Sequence, residues 1–215
     1  MIKAVIFDFD GTILDTESPD FACWQSIFED HGSRLELESW CQVVGTTWDH
    51  FNPFDHLEEK IGKPVNRDDL QVLHRRKFHE LVAQQVPMPG VEATLAAAQE
   101  LGMKLAVASS SRRDWVQGHL ERLGLLSHFE VLKTADDVER VKPDPALYLR
   151  ALEALEVSAE EAIAIEDSVN GVKAAKTAGL YCVAVPNSVT RNLDFAHADH
   201  RLDSLADYDL RTFSR

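Results

Sequence analysis

The chain has 215 residues, 45% hydrophobic and 27% charged, a balance that accommodates one well-packed domain carrying a smaller inserted one. Its formal net charge of -14 excludes broad binding to nucleic acid or to an anionic membrane, since both need basic surface to neutralise phosphates. No apolar run approaches the roughly 18 residues of a membrane span, no basic-then-apolar leader opens the chain, and Cys23, Cys41 and Cys182 lack zinc-ligand spacing, so a cytoplasmic protein with reduced thiols is expected.

In chain order, short apolar runs ending in polar residues alternate with helical patterns. The expected strands are "KAVIFD" (3 to 8), "KLAVAS" (104 to 109), "FEVLKT" (129 to 134), "EAIAIED" (161 to 167) and "LYCVAV" (180 to 185). Between them, apolar residues recur at helical spacing: Val91, Leu95, Ala98; then Trp115, Val116, Leu120, Leu123; then Leu147, Ala151, Leu152, Leu155; then Val169, Val172, Ala175. This alternation predicts right-handed βαβ crossovers, hence an α/β fold with a Rossmann-like parallel-sheet core.

One region breaks the pattern. From about Ser18 to Val86 the spacing is helical throughout, with Phe21, Trp24 and Phe28 in one segment and Leu70, Leu73, Phe78, Leu81 and Val82 in another. "DTESP" opens it and "VPMPG" closes it, both rich in breakers and caps. The expected division is a core of residues 1–15 and 87–215 around an inserted all-α helical cap, 16–86, with hinges at Asp15 to Pro19 and Pro87 to Gly90.

Polar residues fall at the strand ends of this frame. Asp8 and Asp10 follow the first strand, Ser109 the second, Lys142 the third, and Glu166 with Asp167 the fourth. In a parallel sheet these ends share one edge, where ligands bind. Two aspartates one residue apart repel unless something positive sits between them. Carboxylates gathered with a serine and a lysine suit Mg²⁺, which prefers carboxylate and carbonyl oxygens.

These stretches, "DFDGT" (8 to 12), the serine of "VASSS" (109), the lysine of "VKPDP" (142) and "IEDSVNG" (165 to 171), resemble the four signature motifs of the haloacid dehalogenase superfamily. The helical insert resembles the cap of its phosphoglycolate phosphatase and β-phosphoglucomutase subgroup, and the strand order implied is 5-4-1-2-3. The resemblance implies a Mg²⁺-dependent phosphatase acting through an aspartyl-phosphate on a small phosphorylated metabolite. It makes Asp8 the nucleophile, Asp10 the acid and base, and Ser109, Ser110 and Lys142 the phosphate-binding groups. The metal site it implies is Asp8, Asp10 through its main-chain carbonyl, Asp167 and Glu166, the last adjacent or bridged through water.

Halide-cleaving relatives lack the second aspartate and the metal carboxylates, so Asp10 and Asp167 argue against dehalogenation. A phosphomutase is the alternative within the family, and a catalytically silent interaction protein on the same fold is the alternative outside it. Known β-phosphoglucomutases carry a histidine where Asp20 stands and an arginine shortly after the glycine matching Gly45. Here "TTWDH" follows Gly45, and hydrolysis is expected, with Thr46 and Thr47 touching the leaving group. A monomer is expected. His50, His56, His74 and His79 read as helix-surface residues, Arg75 to Lys77 as a solvated face, Trp48 as packing, and Cys182 as a buried strand residue.

Overall fold

Five strands begin the core of the computed structural model, which describes residues 1–41 and 51–212. They are β1 (Ala4–Phe7), β2 (Lys104–Ala108), β3 (Val131–Lys133), β4 (Ala162–Glu166) and β5 (Tyr181–Ala184), all parallel. A sixth, β6 (His200–Arg201), pairs with β5, and the order is β3-β2-β1-β4-β5-β6. The expected order is therefore present, extended by one strand that sequence does not mark: both its residues are exposed and neither is apolar.

The two faces of the sheet differ in kind. Val5, Phe7, Leu105, Val107, Ile163, Ile165 and Val183 point to one, beneath α5 (Val91–Glu100) and α6 (Arg113–Arg122). The opposite face carries Ala4, Ile6, Ala106, Ala108, Ala162, Ala164, Cys182 and Ala184, and packs on α7 (Ala146–Leu155) and α8 (Val169–Thr177). Side chains alternate with period two along each strand, so large and small residues interleaved in sequence separate onto opposite faces. The small face lets α7 and α8 approach the sheet closely.

Among the described residues, four helices stand between β1 and α5: α1 (Glu17–Asp30), α2 (Leu37–Trp40), α3 (Pro53–Ile61) and α4 (Arg67–Val82). Asn52 caps α3 by accepting from Phe54 N at 2.9 Å, Pro53 occupies its first turn, and Gly62 ends it with a φ of 68°. Asn66 caps α4 in the same way. Trp24, Ile27 and Phe28 of α1 pack with Leu35, Trp40, Phe54, Leu57 and Leu70 in a cluster of their own, joined from the core by Val189. Among the described residues, no helix is long and apolar enough to cross a membrane.

The two chain crossings between these parts lie side by side. Leu14 bridges Pro87, and Met88 N donates to Ile13 O at 2.8 Å. Gly90 then turns with a φ of +90°, where a Cβ would come within 2.2 Å of Ala206 N. Both the dihedral and the backbone contact demand glycine. Gly90→Ala is expected to cost about 2 to 3 kcal/mol, read as a lower urea midpoint at unchanged slope. A parent-like midpoint would show that this turn tolerates a side chain.

Candidate active site

The carboxyl ends of β1, β2 and β4 and the loop after β3 build the site. Asp8 N donates to Ile165 O at 2.9 Å, continuing the β1–β4 ladder one residue past the strand. Gly11, with a φ of +81°, then reverses the chain so closely over β4 that a Cβ there would lie 2.2 Å from Asp167 Oδ2. Ser109 N is tied to Lys133 O at 2.9 Å, and Ser168 caps α8 by accepting from Gly171 N at 3.0 Å. Lys142 enters from the loop before α7, where the Lys142–Pro143 bond is cis.

Four charged side chains meet here out of water. Asp8, Lys142, Glu166 and Asp167 are all buried. Lys142 Nζ donates to Asp8 Oδ1 at 2.5 Å and to Glu166 Oε1 at 2.6 Å. Tyr148 OH also donates to Glu166 Oε1, at 2.5 Å, and Ser168 Oγ donates to Oε2 at 3.3 Å. Asp167 accepts from Asn187 Nδ2 at 2.7 Å and from Thr12 Oγ1 at 3.5 Å.

Three carboxylates against one ammonium leave the cluster short of positive charge. Burial pushes the Asp8 carboxyl up to about 7, with Lys142 pulling it down and Glu166 and Asp10 adding to the rise. Burial raises Asp167 as well, reinforced by Asp8, Glu17 and Glu166. For Lys142, burial disfavours the ammonium, but Asp8 and Glu166 outweigh it and hold the group charged. One oxygen each from Asp8, Glu166 and Asp167 lie within 4.8 Å of one another. This all-oxygen, anionic, cation-deficient set fits a hard divalent ion such as Mg²⁺. Glu166 has both oxygens engaged by protein donors, whereas Lys142 is the side-chain donor to Asp8 among the described residues.

Asp10 sits apart from this group. Its Oδ2 accepts from Ser111 Oγ at 2.6 Å and Ser109 Oγ at 3.2 Å, and its Oδ1 accepts from Trp115 Nε1 at 2.9 Å. Ser109 is fully buried and faces Asp10, while Ser110 lies on the wall of the adjoining cleft. Ser111 and Trp115 are partners that sequence reasoning missed. Their signals were present, in three consecutive serines and an aromatic on the first turn of a helix, but each also suited a plain structural part.

The cleft, of about 620 Å³, runs from Asp8, Asp10, Lys142 and Asp167 up to the helical insert. On the insert side, His74 Nε2 meets Asp20 Oδ1 at 2.6 Å and its ring stacks on Trp24 at 4.8 Å. The expectation of a surface histidine is corrected here: position 74 lies on the face of α4 turned towards α1, where ring contacts and an acid partner cover it. Arg75 borders the cleft and Lys77 bonds Ser26 Oγ at 2.9 Å, so the basic run divides between cleft rim and helix packing. His56 is half-buried against Phe28, with ring centroids 5.8 Å apart. Burial, and next the neighbouring Asp20, push the Glu17 carboxyl in the same cleft well above the usual carboxylate range. Gly45, Thr46, Thr47, Trp48 and His50 lie outside the described residues.

Residues 5–185 match the profile of a family described as haloacid dehalogenase-like hydrolase. "Putative phosphatase YhcW" of Bacillus subtilis (strain 168) is 54% identical, covering 98% of this chain and 95% of its own. The "Phosphorylated carbohydrates phosphatase" of Thermotoga maritima is 32% identical over 83% of this chain and 82% of its own. The crystal structure of CbbY from Rhodobacter sphaeroides in complex with phosphate superposes with a TM-score of 0.76, at 32% identity and 96% coverage of both chains.

Proposed function

Since the chain belongs to the haloacid dehalogenase-like hydrolase family, we propose that it hydrolyses a small sugar phosphate, with Asp8 as nucleophile and Asp10 as acid and then base. The carrying observation is the pair of differently held aspartates at one end of β1. Asp8 is buried against Lys142, while Asp10 stands over the cleft on hydroxyl and indole donors. An Asp8 oxygen attacks phosphorus in line as the bond to the leaving oxygen breaks, and Asp10 delivers a proton to that oxygen. Asp10, now ionised, takes a proton from water as the water oxygen attacks phosphorus, freeing inorganic phosphate and the Asp8 carboxylate. Lys142 and Ser110 face the cleft and would hold phosphoryl oxygens. Ser109 supports them from behind, accepting from Ser111 N at 3.0 Å.

Mg²⁺ belongs to the same reading, with Asp8 and Asp167 as side-chain ligands, Asp10 as a main-chain ligand, and Glu166 beside them holding Lys142. Bound there, it would offset the repulsion between an anionic nucleophile and an anionic phosphate. EDTA is expected to abolish phosphate release and Mg²⁺ to restore it. Asp167→Ala should raise the Mg²⁺ needed for half-maximal rate at least about tenfold, and more than Glu166→Ala does. Equal effects would mean that the direct ligand has been misassigned.

The sugar phosphate class is supported by the Thermotoga relative's name and by a cap side of the cleft that mixes aromatic rings with acidic, basic and amide groups. Residues 16–86 act in this reading as a cap moving on the paired crossings at Leu14 and Pro87. A cytoplasmic setting belongs to the same reading and is supported by the free thiols of Cys23, Cys41 and Cys182. The assembled carboxylates, lysine and cleft count against a silent interaction protein. Phosphomutase action would need a cationic second phosphate site, whereas on the cap side of the cleft Glu17 and Asp20 stand with Arg75 in a lining of mixed charge. A panel of phosphate monoesters tests the proposal, with β-glucose 1-phosphate and catalytic glucose 1,6-bisphosphate as one arm. Phosphate from sugar phosphates supports it; glucose 6-phosphate formed faster than phosphate would replace it with the mutase.

A further inference from the structure

We infer that Trp115 is a positioning residue through which the cap aims Asp10, an inference that rests on the acid-base reading of Asp10 above. Trp115 belongs to the core, on the first turn of α6. Its ring nevertheless lies face to face with Phe78 of α4, centroids 5.6 Å apart and planes 13° apart. His79 of the same cap helix meets it at 5.6 Å and 65°, and His119, one turn along α6, at 4.2 Å and 70°. The indole is thus held jointly by the cap and by its own helix.

An indole has one polar atom, a donor fixed in the ring plane. In Trp115 that N–H points to Asp10 Oδ1, while serine hydroxyls take Oδ2. Hydroxyls rotate to follow a carboxylate, but an indole N–H moves only with its whole ring. The ring's orientation therefore sets the direction of Oδ1. The stack continues into the cap from Phe78 to His74 at 5.8 Å and 11°, and from His74 to the buried Trp24 at 4.8 Å and 27°. His74 is itself anchored by Asp20. Four rings in contact therefore connect the cap's apolar cluster to the acid-base carboxylate.

The consequence is conditional positioning. With the cap seated, Phe78 and His79 limit rotation of the indole and the Asp10 carboxylate keeps one aim. With the cap lifted, those contacts are gone and the N–H no longer holds Oδ1 in a single direction. Acid-base transfer depends on such aim, because the proton must pass directly to the leaving oxygen.

The test compares first-turnover rates on two substrates. p-Nitrophenyl phosphate leaves as a stable phenolate and needs little protonation, whereas a sugar phosphate leaves as an alkoxide and needs the acid. Trp115→Phe keeps an aromatic ring beside Phe78 but loses the N–H together with part of the indole's bulk, so the comparison of two substrates, not the rate on one, isolates the lost N–H. It is expected to lower the rate on the sugar phosphate that the parent hydrolyses fastest about tenfold more than the rate on p-nitrophenyl phosphate. Phe78→Leu should shift the same ratio in the same direction. Equal losses on both substrates, or none, would overturn the inference, since a merely structural defect slows both alike. An independent readout is the indole N–H resonance of Trp115 in the parent, assigned by its loss in Trp115→Phe. It should move when Asp10→Ala is introduced, and an unmoved resonance would likewise refute the contact. A parent inactive on every monoester would refute the phosphatase reading, and the resonance would still decide whether Trp115 holds Asp10.

Discussion

Asp8→Asn is expected to remove phosphate release, by at least about a thousandfold, while leaving the fold intact. An amide has no oxygen able to form the phosphoenzyme bond, and among the described residues no other carboxylate combines the end of β1 with Lys142 2.5 Å away. The same substitution should not weaken the metal-free protein above neutral pH. Burial lifts Asp8 from an ordinary 3.8 to about 7, so its ionised form costs stability. That cost is absent below pH 3.8, grows as pH rises, and is complete above about 7. Thermal unfolding at pH 8 should therefore find Asp8→Asn at least as stable as the parent. Residual turnover of more than a few per cent, with contamination excluded, would contradict the assignment.

Lys142→Met is expected to cost both activity and about 3 to 5 kcal/mol of stability. The ammonium lies between two buried carboxylates, 2.5 Å from Asp8 and 2.6 Å from Glu166, with the Tyr148 ring 5.1 Å from it. Its removal leaves two acids in a low-dielectric pocket with one cation fewer, and Tyr148 and Ser168 as neutral donors only to Glu166. Lys142→Arg should not restore the parent, because a planar fork cannot replace a compact point charge in a pocket this closely packed. Urea unfolding of both variants, beside phosphate release, measures this. A Lys142→Met protein as stable as the parent would mean that the lysine is not the counter-charge to these acids.

The sheet and the first carriers of chemistry were legible because their signals are local. Strands such as "AVIF" and "AIAIE" are short apolar runs whose polar next residues must fall at a strand end, so Asp8 and Asp167 could be placed on one edge from sequence alone. β6 was not legible: its two exposed residues owe their place to pairing with Val183 and Ala184, not to any pattern of their own.

The supporting groups were hidden for a different reason. Asn187, which holds Asp167, and Tyr148, which holds Glu166, lie 20 and 18 residues away along the chain and meet their partners only after the core forms. Trp115 satisfied the apolar spacing of α6, and that spacing says nothing of where its one N–H points. His74 reads as polar in a helix whose outer face is charged, and only the packing of α4 on α1 turns it inward. Local patterning thus located the acids, while tertiary contact decided what each acid is bonded to.

Trapping the phosphoenzyme tests the central claim most directly. The Mg²⁺-loaded protein would be quenched in acid during turnover of its best monoester, reduced with borohydride, digested, and analysed by peptide mass spectrometry. An acyl phosphate on Asp8 is expected to appear as homoserine at position 8, absent without substrate and absent from Asp8→Asn. Homoserine at another carboxylate, or phosphate released at full rate with position 8 never modified, would contradict the account.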